Sequence, residues 1–174
     1  MPIERRYRRL SSERIETAAR RLLRASTLCA IATIAPGGRA HVNTAYFAVT
    51  TDFGIVWLSA PEARHSRNIR ASGTAAIAVY ASTQRWGGTD RGIQVFGSAR
   101  ELRGSAAKEA ERAYAARFRG YEPGTLTAYR FYRLRTRLLK LFDERGLGGG
   151  AFITARILGG RAEWVATEQY RSDE

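Results

Sequence analysis

The stretch from Thr27 to Ser59 constrains the fold more than any other part of the chain. Leu28 to Ile34 is a short apolar run, and Pro36-Gly37-Gly38 is turn chemistry. His41 to Thr50 combines aromatic, small and β-branched residues, and Asp52-Phe53-Gly54 turns the chain into a third run, Ile55 to Ser59. Parallel neighbours need a crossover of a dozen or more residues, which these short connections cannot supply, so the three strands are expected to run antiparallel.

The rest of the chain reads as more short strands with helices between them. Ser11 to Ser26 places Ile15, Ala18, Ala19, Leu22 and Leu23 at helical spacing. Pro61 to Ser72 is polar and basic around Ile69 and fits a short helix, and Thr74 to Tyr80 is a strand. Ala81 to Arg91 is a loop by composition, with Gln84, Trp86 and Gly87-Gly88, before Gly92 to Leu102 resumes strand character. Gly104 opens a second long helix with Ala106, Ala110, Ala113, Tyr114 and Phe118 on one face, which Tyr121-Glu122-Pro123-Gly124 ends. Tyr129 to Phe142 alternates apolar residues with arginine, Gly146 to Gly150 reads as a flexible turn, and Phe152 to Leu158 reads as the last strand. Roughly seven strands and two or three helices predict a mainly β, α+β chain, an antiparallel barrel with helices as covers. Residues 1–174 are expected to form a single domain, with residues 1–10 a basic arm and 171–174 a frayed tail.

Composition then narrows the function. The 174 residues are 44% hydrophobic and 26% charged, ordinary globular values, and no run approaches the eighteen or so apolar residues of a membrane span. Arg5, Arg6, Arg8 and Arg9 are followed by no apolar leader core, so the expected location is cytoplasmic. The single Cys29, between Leu28 and Ala30, reads as a buried thiol inside a strand. The net charge of +13 draws phosphates of any kind, nucleic acid and phosphorylated cofactors alike. The arginines are scattered along the chain rather than gathered in one aromatic-interleaved segment, which disfavours nucleic acid. His41 and His65 are the only histidines and no zinc spacing is present, so no metal is expected. A Gly-x-Ser-x-Gly elbow, a P-loop and a dinucleotide-binding Gly-x-Gly-x-x-Gly are likewise missing.

The informative segment is Ser59 to Arg70. A strand end delivers the Ser59 hydroxyl, and the next helix brings Arg64, His65, Arg67 and Asn68 within about one turn. Guanidinium groups bind phosphate oxygens bidentately, and a helix beginning nearby adds N–H donors and a favourable dipole. The segment fits a phosphate cradle and a solvated basic helix equally well on its residues alone.

The order of the pieces resembles the pyridoxamine 5'-phosphate oxidase-like family, the FMN-binding split barrels. The matching stretches are LCAIATIAPGGRAHVNTAYF, then GIVWLSAPEARHSRNIRASGTAAIAVY, then RGIQVFGSARE followed by the helix around KEAERAYAARF. The resemblance covers roughly residues 13 to 120. It implies an FMN oxidoreductase acting as a homodimer, with the cofactor at the subunit interface and NADH or NADPH as candidate reductants of a small-molecule reaction. It places Asn43, Thr44, Ala45 and Tyr46 along the flavin ring, Ser59 at the ribityl or phosphate end, and Arg64, His65, Arg67 and Asn68 at the phosphate. His65 departs from the family pattern, where many relatives have lysine. Gln84, Trp86 and Gln94 would hydrogen-bond or stack on the ring from the interface loop and strand. The Arg135 to Lys140 stretch comes too late in the chain to be the vitamin-making oxidase's phosphate strand, so pyridoxal phosphate synthesis is a minor alternative. Deazaflavin or haem binding, or a non-catalytic flavin-binding module, are the others. No residue is assigned as catalytic.

Overall fold

The computed structural model describes residues 3–6 and 8–170, so the expected tail at 171–174 lies outside the described residues. In chain order the strands and helices are β1 (Ile3–Arg6), α1 (Ser12–Arg24), β2 (Leu28–Ile34), β3 (Ala40–Val49), β4 (Ile55–Ser59), α2 (Arg64–Ser72), β5 (Thr74–Tyr80), β6 (Arg91–Glu101), α3 (Gly104–Arg117), β7 (Arg130–Asp143), α4 (Glu144–Leu147), β8 (Ala151–Leu158) and β9 (Arg161–Tyr170). Tertiary contacts divide the chain into two compact units, one of residues 27–77 and 96–136, the other of residues 1–26, 78–95 and 137–174.

The first unit is a closed antiparallel barrel of six strands. Its ladder runs β7-β4-β3-β2-β5-β6, and β6 returns to β7, where the Leu102 amide donates to the Phe131 carbonyl at 2.8 Å. Closure leaves no strand of the ring with an unpaired edge. In β2 the residues Cys29, Ile31 and Thr33 are buried while Leu28, Ala32 and Ile34 are exposed, the period of two that a strand with one face inward requires. β4 is buried on both faces: Ile55 and Trp57 point one way, and Val56 points the other. Phe47 lies opposite Trp57 on β3 and Tyr132 lies opposite it on β7, where the Trp57 and Tyr132 rings stack at 5.9 Å. On the reverse face Ala48, Val56 and Phe131 pack against Ala110 and Tyr114 of α3.

The turn into β4 is tight. Phe53 sits at φ 65°, a left-handed conformation rare for an aromatic residue, yet its side chain is fully buried. The Thr50 and Gly54 backbones bond at 2.8 Å, and the Thr136 hydroxyl donates to the Phe53 carbonyl.

In the second unit β1, β9, β8 and the C-terminal half of β7 form an antiparallel run. α1 buries Ile15, Ala18, Ala19, Leu22 and Leu23. Its N-cap Ser11 accepts from the Arg14 amide at 3.3 Å, and Glu13 lies in the first turn.

Two strands go beyond the sequence expectation. β9 was not expected because Phe152 to Leu158 read as the last strand, but Gly159 and Gly160 both take positive φ, the requirement of a two-residue hairpin turn, and the chain returns along β8. Residues 3–6, read as part of a basic arm, pair with β9 from Ile3↔Tyr170 to Arg6↔Thr167. Their arginines hid a strand. Part of the glycine-rich turn is the short helix α4, capped where the Asp143 carboxylate accepts from the Gly146 amide at 3.2 Å.

Replacing Ser11 with alanine leaves the first-turn amide of Arg14 without its side-chain partner, and should lower stability by about 1 kcal/mol. A shift of the urea midpoint at unchanged slope checks this, and an unmoved midpoint would show that the cap contributes nothing.

Candidate functional site

β4 ends at Ser59, and five residues later α2 begins. The N-cap of α2 is Ala63, which makes no side-chain cap bond, and the first turn has no acidic residue. An uncapped helix start presents N–H donors and the positive end of the helix dipole. Helical spacing puts Arg64 and Arg67, three apart, on one face. Both are exposed, and neither guanidinium has an ion pair or hydrogen bond among the described residues.

The other half of the expected cluster faces inward. His65 and Asn68 are buried, as are Ser66 and Ile69. The Ser59 hydroxyl and His65 Nε2 lie 2.6 Å apart, and Ser66 Oγ donates to Ser59 Oγ at 3.2 Å. Asn68 Nδ2 donates to the Thr33 hydroxyl at 3.0 Å, tying α2 to β2. The four side chains placed at one phosphate by resemblance therefore divide in two. Arg64 and Arg67 are presented outward, whereas His65 and Asn68 are held to the barrel wall. Burial, and then the charge of nearby His41, hold His65 below the ordinary histidine value, so it is neutral at pH 7.

Strand alternation also divides the expected ring contacts on β3. Asn43 and Ala45, half-buried, lie on the face of His41 and Phe47, and Asn43 Nδ2 donates to the Thr44 carbonyl at 2.9 Å. Thr44 and Tyr46 lie on the opposite, exposed face, where Tyr46 meets the Phe118 ring edge-on at 5.8 Å. The β2–β3 register pairs Leu28 with Tyr46, Ala32 with Val42 and Ile34 with Ala40. Directly paired residues share a face, so this side of the hairpin presents Leu28, Ile34, Val42 and Tyr46 to solvent together.

Gln84, Trp86 and Gln94 belong to the second unit. Gln84 holds its own loop closed, with Oε1 accepting from the Arg91 amide at 2.7 Å and Nε2 donating to the Ala81 carbonyl at 3.1 Å. Trp86 is fully exposed at the loop tip, and Gln94 is exposed on β6. Cys29 is buried as expected, and burial pushes its thiol up to about 12. Thr33 and Ser66, which complete the polar contacts behind α2, were not singled out in the sequence. Their only signal is the strand register and helix period, which become legible once β2 and α2 are placed.

No curated protein matches the chain. Among solved structures it is similar to a haem-binding protein from Mycobacterium smegmatis, with TM-score 0.69 and 17% identity over 85% of this chain and 59% of that one. It therefore spans 59% of that protein's length. It is also similar to HutZ, the haem storage protein from Vibrio cholerae, with TM-score 0.63 and 19% identity over 76% and 97% of the two chains. PhzG from Burkholderia lata 383, in complex with tetrahydrophenazine-1-carboxylic acid, matches with TM-score 0.58 and 18% identity over 90% and 88%. At these identities the likeness is one of fold. The family model for pyridoxamine 5'-phosphate oxidase matches residues 15–143, from α1 through the barrel strands to the end of β7, and the chain belongs to the pyridoxamine 5'-phosphate oxidase-like family.

Proposed function

We propose that this chain is a homodimeric flavin-dependent oxidoreductase that holds FMN by its phosphate at the start of α2. The observation that carries this reading is the pair Arg64 and Arg67, unpaired and outward on an uncapped first turn. A phosphate dianion needs charge-assisted donors, and two free guanidiniums beside open backbone N–H groups supply them. Bound FMN would supply hydride or single-electron chemistry, and the protein binding and orientation.

The roles of the chain's own residues follow from their positions. Arg64 and Arg67 bind the phosphate. The β3 backbone from Asn43 to Tyr46 lines the ring, with Thr44 and Tyr46 on the side that a second subunit would cover. The exposed apolar face of Leu28, Ile34, Val42 and Tyr46 supports the dimer, since contiguous apolar surface favours burial against a partner. His65 serves from behind: its Nε2 lies 2.6 Å from Ser59 Oγ, and burial favours the neutral ring in that contact. His65 thus fixes the joint between β4 and α2 rather than supplying charge, and the arginines replace the lysine of many relatives.

Haem is the second reading, favoured by the names of two similar structures. It needs an axial donor, and His41, half-buried and without a hydrogen-bond partner among the described residues, is the histidine still free to act as one. The absorption spectrum of the purified protein separates FMN from deazaflavin and haem, and bleaching by NADH or NADPH tests for enzymatic turnover. A colourless protein that also rejects added FMN would overturn the flavin reading.

Charge reversal at the phosphate site, Arg67→Glu, should weaken FMN binding by about tenfold or more, with the unfolding midpoint kept. Unchanged affinity by fluorescence titration would remove Arg67 from the site.

The joint behind α2 predicts a pH dependence. His65 titrates near 6.5 when unfolded and lower when folded, so below about pH 6.5 the unfolded chain binds the extra proton more readily. The stability contributed by neutral His65 is complete above that value and is lost as pH falls toward the folded pKa. Urea midpoints at about pH 7.5 and pH 5 should therefore fall further apart in the wild type than in His65→Gln. An equal fall in both proteins would show that His65 does not carry it.

A further inference from the structure

The barrel unit holds a basic pocket that the flavin reading does not use. Its volume is about 440 Å³, and its lining is Asp52, Ser98, Ala99, Arg100, Arg133 and Arg135. Ser98 and Arg100 are two apart on β6, and Arg133 and Arg135 are two apart on β7, so each pair projects from one face of its strand. The bond from the Leu102 amide to the Phe131 carbonyl fixes the two strands against each other. Arg100 and Arg133 stand equally far from that bond, and so do Ser98 and Arg135. The pocket lies beside the turn that enters β4, whereas α2 follows that strand's other end.

Its charge is unbalanced. Three guanidiniums share the pocket with a single carboxylate, and like charges on neighbouring strands repel. Asp52 is committed to Arg133, with Nη2 to Oδ2 at 2.5 Å. Burial pushes Asp52 up, but the Thr50 hydroxyl, Arg133 and the Gly54 amide outweigh it and hold the carboxyl below the usual aspartate value. Arg133 is fixed in place: a Cβ at position 54 would lie 2.7 Å from its Nε, so the glycine makes room for the guanidinium. That Nε is buried without a hydrogen-bond partner, while Arg100 and Arg135 are exposed and have none among the described residues. A preorganised arginine flanked by two free ones suits an anion with several oxygens. The volume falls within the range of small-molecule sites and exceeds what a bare phosphate fills.

We propose that this pocket binds a small organic phosphate monoester, its phosphate held between Arg100 and Arg135 beside the fixed Arg133. The site shares no residue with Arg64 and Arg67, so it stands whether or not the flavin reading does.

Calorimetric titration of the purified full-length protein with adenosine monophosphate, adenosine and inorganic phosphate tests it. The nucleotide should bind, adenosine should not, and inorganic phosphate should bind about tenfold more weakly than the nucleotide. The double variant Arg100→Gln/Arg135→Gln changes two exposed side chains and should weaken the nucleotide by about tenfold or more while keeping the unfolding midpoint and flavin content. Asp52→Asn removes the competing charge and should act in the opposite direction, tightening the nucleotide. No nucleotide binding by the wild type, or binding indifferent to the double variant, overturns the proposal. Inorganic phosphate binding as tightly as the nucleotide overturns the organic ligand. Flavin lost from the double variant but kept by Arg67→Glu would place the flavin phosphate in this pocket, and would overturn both the separate site and the α2 reading.

Discussion

The barrel unit depends on a single strand with no exposed face. β4 is only five residues long, yet Ile55, Val56 and Trp57 are all fully buried, with Phe47 and Tyr132 on either side of Trp57. Burying an aromatic of this size contributes roughly 2–3 kcal/mol, and close packing leaves it no alternative position. A strand held on both faces has fixed ends. One end is the turn of Thr50 to Gly54, where Phe53 accepts an unfavourable backbone conformation because its ring has a place in the core. The other end is Ser59, from which the chain enters α2. Both basic regions of the unit are built at these two ends.

The helix at the second end then separates residues by its own period. A run in which nearly every side chain is polar would be a solvated segment in isolation. Docked on β2, it has an inner face and an outer one, and 3.6 residues per turn assign His65 and Asn68 to the first and Arg64 and Arg67 to the second. The inner pair is neutral and hydrogen-bonded, as burial demands, while the outer pair keeps its charge in water. The same sequence therefore yields a rigid anchor and an available cationic surface a residue apart.

Much of the fold was legible from local pattern. β2, β4 and β5 begin and end where their apolar runs and turns placed them, because each is a short apolar run with β-branched residues, bounded by breakers. β1 and β9 were not, since both are rich in charged residues and are strands by virtue of pairing, β1 with β9 and β9 with β8. At the candidate site, residue types pointed to α2, but types cannot report direction. That His65 turns toward Ser59, or that Thr33 waits across from Asn68, depends on how strand and helix are brought together. The pocket of Arg100, Arg133 and Arg135 was hidden for a related reason. These arginines were scattered in sequence, and only the return of β6 to β7 makes them neighbours.

Cys29 faces the barrel interior, its sulfur 3.5 Å from the Ala45 carbonyl oxygen, with its proton retained to about pH 12. Nucleophilic attack and oxidation by peroxide both proceed through the thiolate, so a sulfhydryl in this state is chemically quiet at every pH a cell reaches. The thiol thus serves the barrel wall as packing material, with no lasting exposure to sulfenylation or to mixed disulfides.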